Sequence, residues 1–534
     1  MSKSLYLINP RPANPSYFGA EAFAHWGYDP AQAIADLATA TVAALAPEDW
    51  RVTICEEYVE PIDFDVDADF IGITGKVIQG ERMIEVADAF RRRGKTVIIG
   101  GPHASLSPAS VRDHCDVLVI GELEAIAETF FADLENGTWK REYVAEKPDL
   151  DASPLPRFEL YPNQRTLSGC VQTSRGCPFE CEFCDVIQYL GRKQRHKSVE
   201  QIIRELDALY DLGFRAVFLA DDNFTVYRKR AKNVLAALRD WNAARPDGPV
   251  AFHTQVSIDA ARDPEIMQLC GEAGLTRVFI GIETPNEESL RETKKRQNVG
   301  VDLVSQVQVF LDHGISVTGG MIVGFDHDGP DIFQRQLDFA MSTPIPIFTL
   351  GALVAPAATP LYDRMQASGR LVTDGGPEKT IGVWSTNILP TMMTREQLFN
   401  GLKWLGNRLY RPANFARRVV AMIERMGPQR GPFRQGYRPH KVRQVEREAL
   451  GVIRKLIGSG PEERQMWRDV SAALAEKPET GPMVMKAMFS YAQVCCLYEA
   501  DRYWDPEIAA LDAVPGLIPG PTASGESALV TIGG

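Results

Sequence analysis

The sequence predicts an α/β protein with two parallel sheets, the second a partial barrel, followed by a helical C-terminal domain. In two successive stretches, short apolar runs alternate with helical segments of about 10–15 residues, which is typical of parallel sheets. After Thr391 the pattern becomes helical and rich in arginine. A chain of 534 residues also exceeds what one hydrophobic core usually organises, so several domains are expected.

The first unit, residues 1–145, is predicted to be a doubly wound, Rossmann-like sheet. Its apolar runs are SLYLINP, RVTICEE, ADFIGITG, KTVIIGG and CDVLVIGE, and the intervening DPAQAIADLATATVAALA has a helical pattern. Ligands of such sheets bind at the carboxyl ends of the strands. Loops rich in glycine and small polar residues follow those ends here, so we expect a binding site at that edge.

A Pro-rich, charged linker at residues 146–168 precedes a second α/β series at residues 169–385. Its six strand patterns are too few for a closed eight-stranded barrel, so a partial (β/α)6 TIM barrel is predicted. Residues 386–514 are predicted to form a helical domain. The Gly-, Pro- and Ser-rich residues 515–534 are predicted to form a flexible tail.

The composition argues against several classes of function, among them nucleic-acid binding and membrane insertion. The chain has 58 basic and 70 acidic residues, and the net charge of -12 argues against a broad nucleic-acid or anionic-membrane surface. No apolar run approaches the ~20 residues of a spanning helix, and the first one meets Pro10 and Pro12 too early for a signal peptide. A cytoplasmic protein is expected, in which cysteines are more often reduced ligands than disulfides.

Three of the nine cysteines, Cys177, Cys181 and Cys184, fall within the segment SRGCPFECEFCDV. Thiolates bind iron and zinc, and three of them leave one iron of a four-iron cluster without a protein ligand. An open position of this kind is what a catalytic metal centre needs. Two other interpretations stand beside it. One is a structural zinc site completed by Cys170 or His196, and the other is a chance group of core cysteines, which the charged neighbours disfavour.

The spacing Cys-x3-Cys-x-Phe-Cys, with Phe183 as the aromatic residue, resembles the signature of the radical S-adenosylmethionine (SAM) enzymes. The resemblance implies a [4Fe–4S] cluster on the three cysteines, whose fourth iron binds the amino and carboxylate groups of SAM. An electron from the cluster then cleaves the sulfonium to a 5'-deoxyadenosyl radical. The resemblance also implies an external electron donor, flavodoxin or ferredoxin, as a partner.

Polar residues recur at successive strand ends of the predicted barrel, in the order that this family uses. The resemblance implies that Asp221 or Asp222 meets the SAM ammonium, for which a carboxylate is a suitable partner. It also implies that the strand GGMIVGF stacks on the adenine, where glycine lets the base approach the backbone. The SAM-binding set implied in this way is Phe183, Asp221, Asp222, Gln255, Ser257, Glu283, Ile322 and Gly324.

A doubly wound domain ahead of a radical SAM domain resembles the cobalamin-binding module of the cobalamin-dependent subclass. The implied cobalamin contacts are Thr74, Gly75, Gly100, Gly101, Pro102, His103, Gly121 and Glu122. Modules that ligate cobalt through histidine carry Asp-x-His-x-x-Gly, whereas this chain has Glu56, Tyr58 and Pro61 at those places. The lower ligand of cobalt is therefore left open, and His103 is expected to bond within its own loop. A Rossmann-like domain without a cofactor is the alternative.

The stretch GLKWLGNRLYRPANFARRV is similar to the C-terminal domain of the hopanoid methylases. The resemblance implies a cobalamin-dependent radical SAM methyltransferase that methylates an unactivated carbon of a small molecule, either hydrophobic and isoprenoid-like or a tetrapyrrole. The alternatives are a non-methylating cyclase or oxidative rearrangement enzyme and a non-catalytic cluster or cobalamin sensor. No nucleic-acid partner and no transmembrane segment are expected, and the oligomeric state is left open.

Two further segments carry expectations. Cys495 and Cys496 lie in an apolar helical pattern and are expected in a core. The aromatic loop PSYFGAEAFAHWGY, residues 15–28, is expected either to cap the space between the two cofactors or to pack at the domain interface.

Overall fold

The computed structural model describes residues 2–372, 384–434, 441–500 and 502–512, and the predicted tail at 515–534 lies outside them. The strands are β1 (Ser4–Asn9), β2 (Gln32–Ile34), β3 (Arg51–Glu56), β4 (Phe70–Thr74), β5 (Thr96–Gly100), β6 (Val117–Ile120), β7 (Glu142–Val144), β8 (Thr166–Val171), β9 (Ser174–Arg175), β10 (Arg195–His196), β11 (Ala216–Leu219), β12 (Ala251–Gln255), β13 (Leu275–Glu283), β14 (Ser316–Val323) and β15 (Ile347–Ala352). The α-helices are α1 (Ala22–His25), α2 (Leu37–Leu45), α3 (Gly80–Arg91), α4 (Gly101–Leu106), α5 (Pro108–Val111), α6 (Ala127–Asn136), α7 (Val186–Tyr189), α8 (Val199–Asp211), α9 (Arg228–Ala243), α10 (Pro264–Ala273), α11 (Glu287–Glu292), α12 (Leu303–Asp312), α13 (Ile332–Ser342), α14 (Pro360–Ala367), α15 (Arg395–Tyr410), α16 (Pro412–Arg425), α17 (Gln444–Gly458), α18 (Pro461–Glu476), α19 (Gly481–Ala500) and α20 (Pro506–Ala510).

The first sheet is parallel, with the strand order β3-β1-β4-β5-β6-β7. The five predicted strands are present, because continuous apolar runs such as SLYLIN in β1 can be buried on both faces of a covered sheet. The sixth strand, β7, is absent from the sequence prediction, since its three residues are too few for a periodic signal. The direction of winding reverses beside β1. The loops after β1 and β4 therefore open a crevice at the carboxyl edge of the sheet.

The second sheet has the order β15-β14-β13-β12-β11-β8-β2, and all its strands are parallel. Six successive strands, β8 and β11 to β15, form the predicted partial barrel. The seventh strand is β2, which pairs with β8. The sequence prediction was wrong here, because it assigned these residues to the helical segment DPAQAIADLATATVAALA. The open edge of β8 offers backbone hydrogen bonds to this segment, and α2 begins only after Asp36, whose carboxylate accepts the Thr39 N–H at 2.8 Å.

The helices that follow the barrel connect its two edges. Helices α15 and α19 contact β15, whereas α17 contacts β8, α19 and the short helix α1 of the N-terminal loop. The open side of the partial barrel is thereby covered by α17, α19 and α1. Cys496 is buried in α19 and Cys495 packs against the core, in agreement with the sequence expectation. Within the described residues, none of these helices combines the length and apolarity that crossing a membrane requires.

Glu56, at the end of β3, is a buried carboxylate in the first sheet. It accepts hydrogen bonds from the Asn9 amide at 2.8 Å and from the Tyr161 hydroxyl at 2.6 Å. Burial raises the pKa of Glu56 from its ordinary value of 4.5 to about 7. The pKa of Glu56 is higher in the folded than in the unfolded state. At a pH between about 4.5 and 7, folding is therefore accompanied by uptake of a proton at Glu56. The contribution of Glu56 to stability therefore falls as pH rises through that window.

We expect Glu56→Gln to flatten the pH dependence of stability between about pH 4.5 and 7, by up to ~1.4 kcal/mol per pH unit. The neutral amide keeps a hydrogen-bonding group in place and removes the titration. Urea unfolding at a series of pH values measures this slope. Glu48→Gln, at an exposed position, is the control and should leave the slope unchanged. An unchanged slope in Glu56→Gln would show that Glu56 does not titrate in this range.

Candidate active site

The three motif cysteines lie in the loop that follows β8, at the carboxyl edge of the barrel. Within this loop Gly176 has φ +98°, and a Cβ there would lie 2.8 Å from the Gly191 carbonyl oxygen. Only glycine fits this turn without strain. The Cys177 N–H donates to the same carbonyl of Gly191, and the Cys184 N–H donates to Cys181 O. The pairing of β9 with β10 frames the loop.

All three cysteines are free thiols. Burial raises the pKa of Cys177, and it raises the pKa of Cys184 to about 12. Thiols in such surroundings stay protonated unless a cation compensates the charge of the thiolate, so metal binding here must displace protons. Cys181 has cationic and polar neighbours. Gln297 donates to its sulfur at 3.7 Å, and the Lys295 ammonium interacts with it electrostatically.

The donor set fits an iron–sulfur cluster better than a single zinc ion. Zinc needs its ligands around one point at about 2.0–2.3 Å. Among the residues that the structure describes, no three His, Cys, Asp or Glu side chains converge in this way. Cys170 lies in the hydrophobic core, and the His196 ring packs edge-on against Tyr227, with 5.7 Å between ring centroids. A four-iron cluster, in contrast, takes each thiolate on a separate iron.

Two adjacent carboxylates after β11 hold the cysteine loop. Asp221 is fully buried and accepts four hydrogen bonds, from the backbone N–H and side-chain hydroxyl groups of Thr173 and Ser174, over 2.5–3.1 Å. Asp222 accepts the Gly176 N–H at 2.8 Å and remains partly exposed. The carboxylate of Asp221 is thus taken up by hydrogen bonds to the loop, whereas the carboxylate of Asp222 remains accessible to a ligand. The sequence alone does not distinguish the two.

A buried ion pair joins the end of β13 to the cysteine loop. Glu283 has φ +65° at an irregular point of β13, and its carboxylate accepts from the Lys295 ammonium at 2.7 Å. Burial opposes the charge of Lys295, but Glu283 and Cys181 outweigh it and hold the pKa of the ammonium above its ordinary value. The ammonium lies 6.0 Å from the centroid of the Phe183 ring. Lys295 and Gln297 are missed by the sequence prediction, because they stand in a charged run typical of a solvated loop.

The other residues of the predicted SAM-binding set also lie at this edge. Gln255, the last residue of β12, is exposed, and the Ser257 hydroxyl accepts from the Asn223 amide at 2.6 Å. Ile322 lies on β14, and both Ile322 and Phe183 pack against the same small apolar cluster. Gly324 has φ +98°, and its N–H donates to Asp328 at 3.0 Å. The structure therefore brings the predicted set to one edge of the barrel.

A cavity of about 460 Å³ lies between the cysteine loop and the first sheet. Its inner part is an apolar shaft between one face of the sheet and two helices, lined by Leu5, Leu7, Gly72, Ile98, Val119, Val42, Leu45, Phe130 and Phe131. Its mouth is polar and borders the cysteine loop, with the lining residues Gln172, Arg175, Asp185, Tyr189 and Asp222. Such a shape suits a ligand with a buried apolar end and a polar face toward the barrel.

Six of the eight residues predicted to bind cobalamin line this cavity: Thr74, Gly100, Gly101, Pro102, Gly121 and Glu122. Gly101 and Gly121 have φ +89° and +95°, and a Cβ on either would meet an oxygen at 2.3 Å. Only glycine therefore fits at these two positions of the cavity wall. Gly75 and His103 are not in the lining. The buried His103 ring packs on Gly80 and lies 3.1 Å from the Ser110 hydroxyl, so it bonds within its own loop region.

Glu122 forms ion pairs between the first sheet and the cysteine loop. Its buried carboxylate lies 2.6 Å from Arg175 and 2.5 Å from Arg195, and Glu124 lies 2.7 Å from Arg175. Since Arg175 is two residues before Cys177, this network ties the position of the loop to the edge of the first sheet. Glu122 was predicted as a cofactor contact, and the structure shows its charge compensated by arginines.

Comparisons with known proteins agree with this architecture. Residues 171–340 match the radical SAM superfamily, and residues 359–497 match a domain of unknown function, DUF4070. The chain is 38% identical over 339 residues to an uncharacterized methyltransferase of Synechocystis and 33% identical over 348 residues to the hopanoid C-2 methylase of Rhodopseudomonas palustris. These matches include 62% and 64% of this chain. They span 63% and 66% of the two relatives, less than two thirds of their length.

Solved structures show the same fold. The cobalamin-dependent SAM radical enzyme OxsB, with aqua-cobalamin and SAM bound, superposes with a TM-score of 0.59 at 14% identity, covering 94% of this chain and 80% of that one. The radical SAM methyltransferase TsrM of Kitasatospora setae, with tryptophan and a SAM analogue bound, superposes with a TM-score of 0.55 at 15% identity, covering 80% and 90%. Residues 171–340 therefore match the radical SAM superfamily, and the chain is similar in sequence to the hopanoid C-2 methylase and in fold to the cobalamin-dependent enzyme OxsB.

Proposed function

We propose that the protein is a cobalamin-dependent radical SAM methyltransferase that methylates an unactivated carbon of a small molecule. One observation carries the proposal. Arg175 and Asp185, which flank the three free cysteines in the loop, line the same cavity as the carboxyl edge of the first sheet. A cluster on the loop and a cofactor in the cavity would then face one reaction space. The names of the sequence relatives support methyl transfer as the reaction.

In this proposal each group has a distinct place. Cys177, Cys181 and Cys184 hold a [4Fe–4S] cluster, and Asp222 accepts from the SAM ammonium, since Asp221 is occupied by Thr173 and Ser174. When bound, the cluster supplies the electron that cleaves SAM, and cobalamin supplies the methyl group. An unactivated carbon has no lone pair to attack a sulfonium, which is the physical reason for two cofactors. An external flavodoxin or ferredoxin is the proposed source of electrons.

The first domain is the proposed cobalamin site. The apolar shaft of the cavity suits the nucleotide base of cobalamin, and the polar mouth suits its corrin face. Among the residues that the structure describes, no histidine lines the cavity, and His103 is turned toward Ser110. Tyr58 stands where histidine-ligating modules carry their imidazole. We therefore propose that no protein imidazole binds the cobalt.

The proposal predicts a fixed ratio of two products of SAM. A methyl group that reaches carbon through cobalt leaves S-adenosylhomocysteine, while the radical step leaves 5'-deoxyadenosine. We expect the two to accumulate in about equal amounts with the substrate present, as measured by liquid chromatography and mass spectrometry. A cyclase would form 5'-deoxyadenosine with little S-adenosylhomocysteine, and a sensor would form neither. A nucleophilic methyltransferase would form only S-adenosylhomocysteine, and any of these three outcomes contradicts the proposal.

A further inference from the structure

The inner face of the barrel has a layer of side chains far from the cysteine loop. In β13 the residues that alternate with the helix-facing core positions Val278, Ile280 and Ile282 point to the inside of the barrel. Arg277 is one of them, and it pairs in register with His253 of β12 on one side and with Ser316 of β14 on the other. Glu283 comes six positions after Arg277 along β13, so this layer lies ~20 Å below the carboxyl edge.

This layer contains cations without anions. Arg277 is half-buried, and its guanidinium forms no hydrogen bond or ion pair with any residue that the structure describes. Lys486 enters from α19, and within the described part of the chain its ammonium has the Thr276 hydroxyl, at 3.4 Å, as its hydrogen-bond partner. His253 is 6% exposed, and both of its ring nitrogens lack a partner. Burial lowers the pKa of His253, and the charges of Arg277 and Lys486 lower it further. The charge of Arg277 also lowers the pKa of Lys486. Burial lowers the pKa of Arg277 to about 10 and that of Lys486 to about 7.

Unpaired cations at such depth destabilise a protein, unless a ligand supplies the missing anion. Neither Arg277 nor Lys486 is fully buried by surface area, although the environment of both shifts their pKa strongly downward. The structure thus has a layer of cations at the base of the barrel, and its Arg277 and Lys486 side chains retain accessible surface that a ligand can contact.

Aromatic side chains lie above this cationic base. Phe279, two residues along β13 from Arg277, is half-buried and contacts Phe18 edge-on, with 5.7 Å between ring centroids. Phe18 is 56% exposed although it reaches the inside of the barrel. It belongs to the aromatic loop at residues 15–28, which α19 holds through hydrogen bonds between Gln493 and this loop. The loop therefore covers the open side of the barrel and contributes an apolar wall to its interior.

We infer that the substrate of this enzyme is an amphiphile with an anionic end group, a carboxylate or a phosphate-type oxyanion, which binds Arg277 and Lys486. Its apolar body lies against Phe18 and Phe279 and extends toward the cysteine loop. This inference rests on the proposed function and adds the chemical class of the substrate. The ~20 Å from the cationic layer to the carboxyl edge separates this anion site from the SAM site. The inference also requires a substrate long enough to reach from the cationic layer to the carboxyl edge of the barrel.

A pair of fluorescent probes tests the anion site in the protein reconstituted with cluster and cobalamin. 1-Anilinonaphthalene-8-sulfonate carries a sulfonate on an aromatic amine, and N-phenyl-1-naphthylamine is the same amine without it. We expect Arg277→Gln and Lys486→Met each to weaken binding of the sulfonate about tenfold or more, while binding of the neutral amine changes less than about twofold. Lys229→Gln, an exposed position on α9, is the matched control and should affect neither probe.

Stability provides the second readout. Removing an unpaired buried cation should leave the thermal unfolding midpoint of Arg277→Gln equal to or above that of the wild type, because function and stability conflict at such a site. A structural role of Arg277 would lower the midpoint. The inference is overturned if sulfonate binding is unchanged in both variants, or if both probes weaken equally.

The natural product distinguishes this inference from the proposed function. Metabolites of cells with and without the protein are compared for a molecule that gains one CH2 unit. If such a product is found and is retained on an anion exchanger at pH 8, both proposals are supported. If it is found but is neutral, methyl transfer stands and the anionic substrate is wrong. If no such product is formed, methyl transfer is wrong, and the probe titration alone decides the anion site.

Discussion

Cys181→Ala is expected to abolish reductive cleavage of SAM completely. Each of the three thiolates of the loop is proposed to bind a separate iron, and no other described cysteine stands ready to replace one. Cys170 lies in the core and Gln297 is the polar neighbour of Cys181. Loss of one ligand therefore should remove the cluster and with it the electron. Formation of 5'-deoxyadenosine under anaerobic, reducing conditions measures the effect, and iron and sulfide content measure the cluster.

Cys170→Ala is the matched control for this experiment. Its thiol is buried in the core, where burial raises its pKa to about 12, and it is seven residues before Cys177 in the chain. This variant should keep full iron content and full cleavage of SAM, at a modest cost in stability from the lost packing. If Cys170→Ala also lost the cluster, or if Cys181→Ala kept it, the assignment of the three ligands would be refuted.

Glu122→Gln is expected to destabilise the protein by about 3 kcal/mol and to loosen the cysteine loop. The change leaves Arg195 without a carboxylate and leaves Arg175 with Glu124 alone. Both arginines are almost fully buried, and breaking one partner of a buried pair costs about 3–5 kcal/mol because a buried charge stays uncompensated. Urea unfolding measures the loss of stability. The iron content after reconstitution shows whether the cysteine loop can still hold the cluster.

Glu142→Gln is the control for the Glu122 ion-pair network, because it removes a carboxylate from an ion pair at the surface. Glu142 lies 2.8 Å from Arg112, and both side chains are about a third or more exposed, at 34% and 44%. Such pairs contribute about 0–1 kcal/mol to stability, so the free energy of unfolding of this variant should be close to that of the wild type. An equal effect of Glu122→Gln and Glu142→Gln would show that the buried network does not hold the two domains together.

The sequence by itself determined the two sheets, the partial barrel and the place of the candidate site. Five apolar runs of the first sheet and six of the second were long enough to be recognised. In parallel sheets all carboxyl ends meet at one edge, so Asp222, Glu283 and Gly324 could be assigned to the same edge from strand ends alone. The cysteine motif is local in the chain, and its spacing was therefore readable without a structure.

Only the tertiary structure decided which residues that are far apart in the sequence contact one another. The edge strand β2 forms because β8 leaves an open edge, which no local propensity reveals. Asp221 and Asp222 differ only through the loop that Asp221 holds, and Glu122 is neutralised by arginines more than fifty residues further on. Lys486 reaches β13 across 210 residues of chain. The pattern of a helix predicts which of its faces is apolar, but not which strand that helix will meet, because packing between distant elements depends on the fold as a whole.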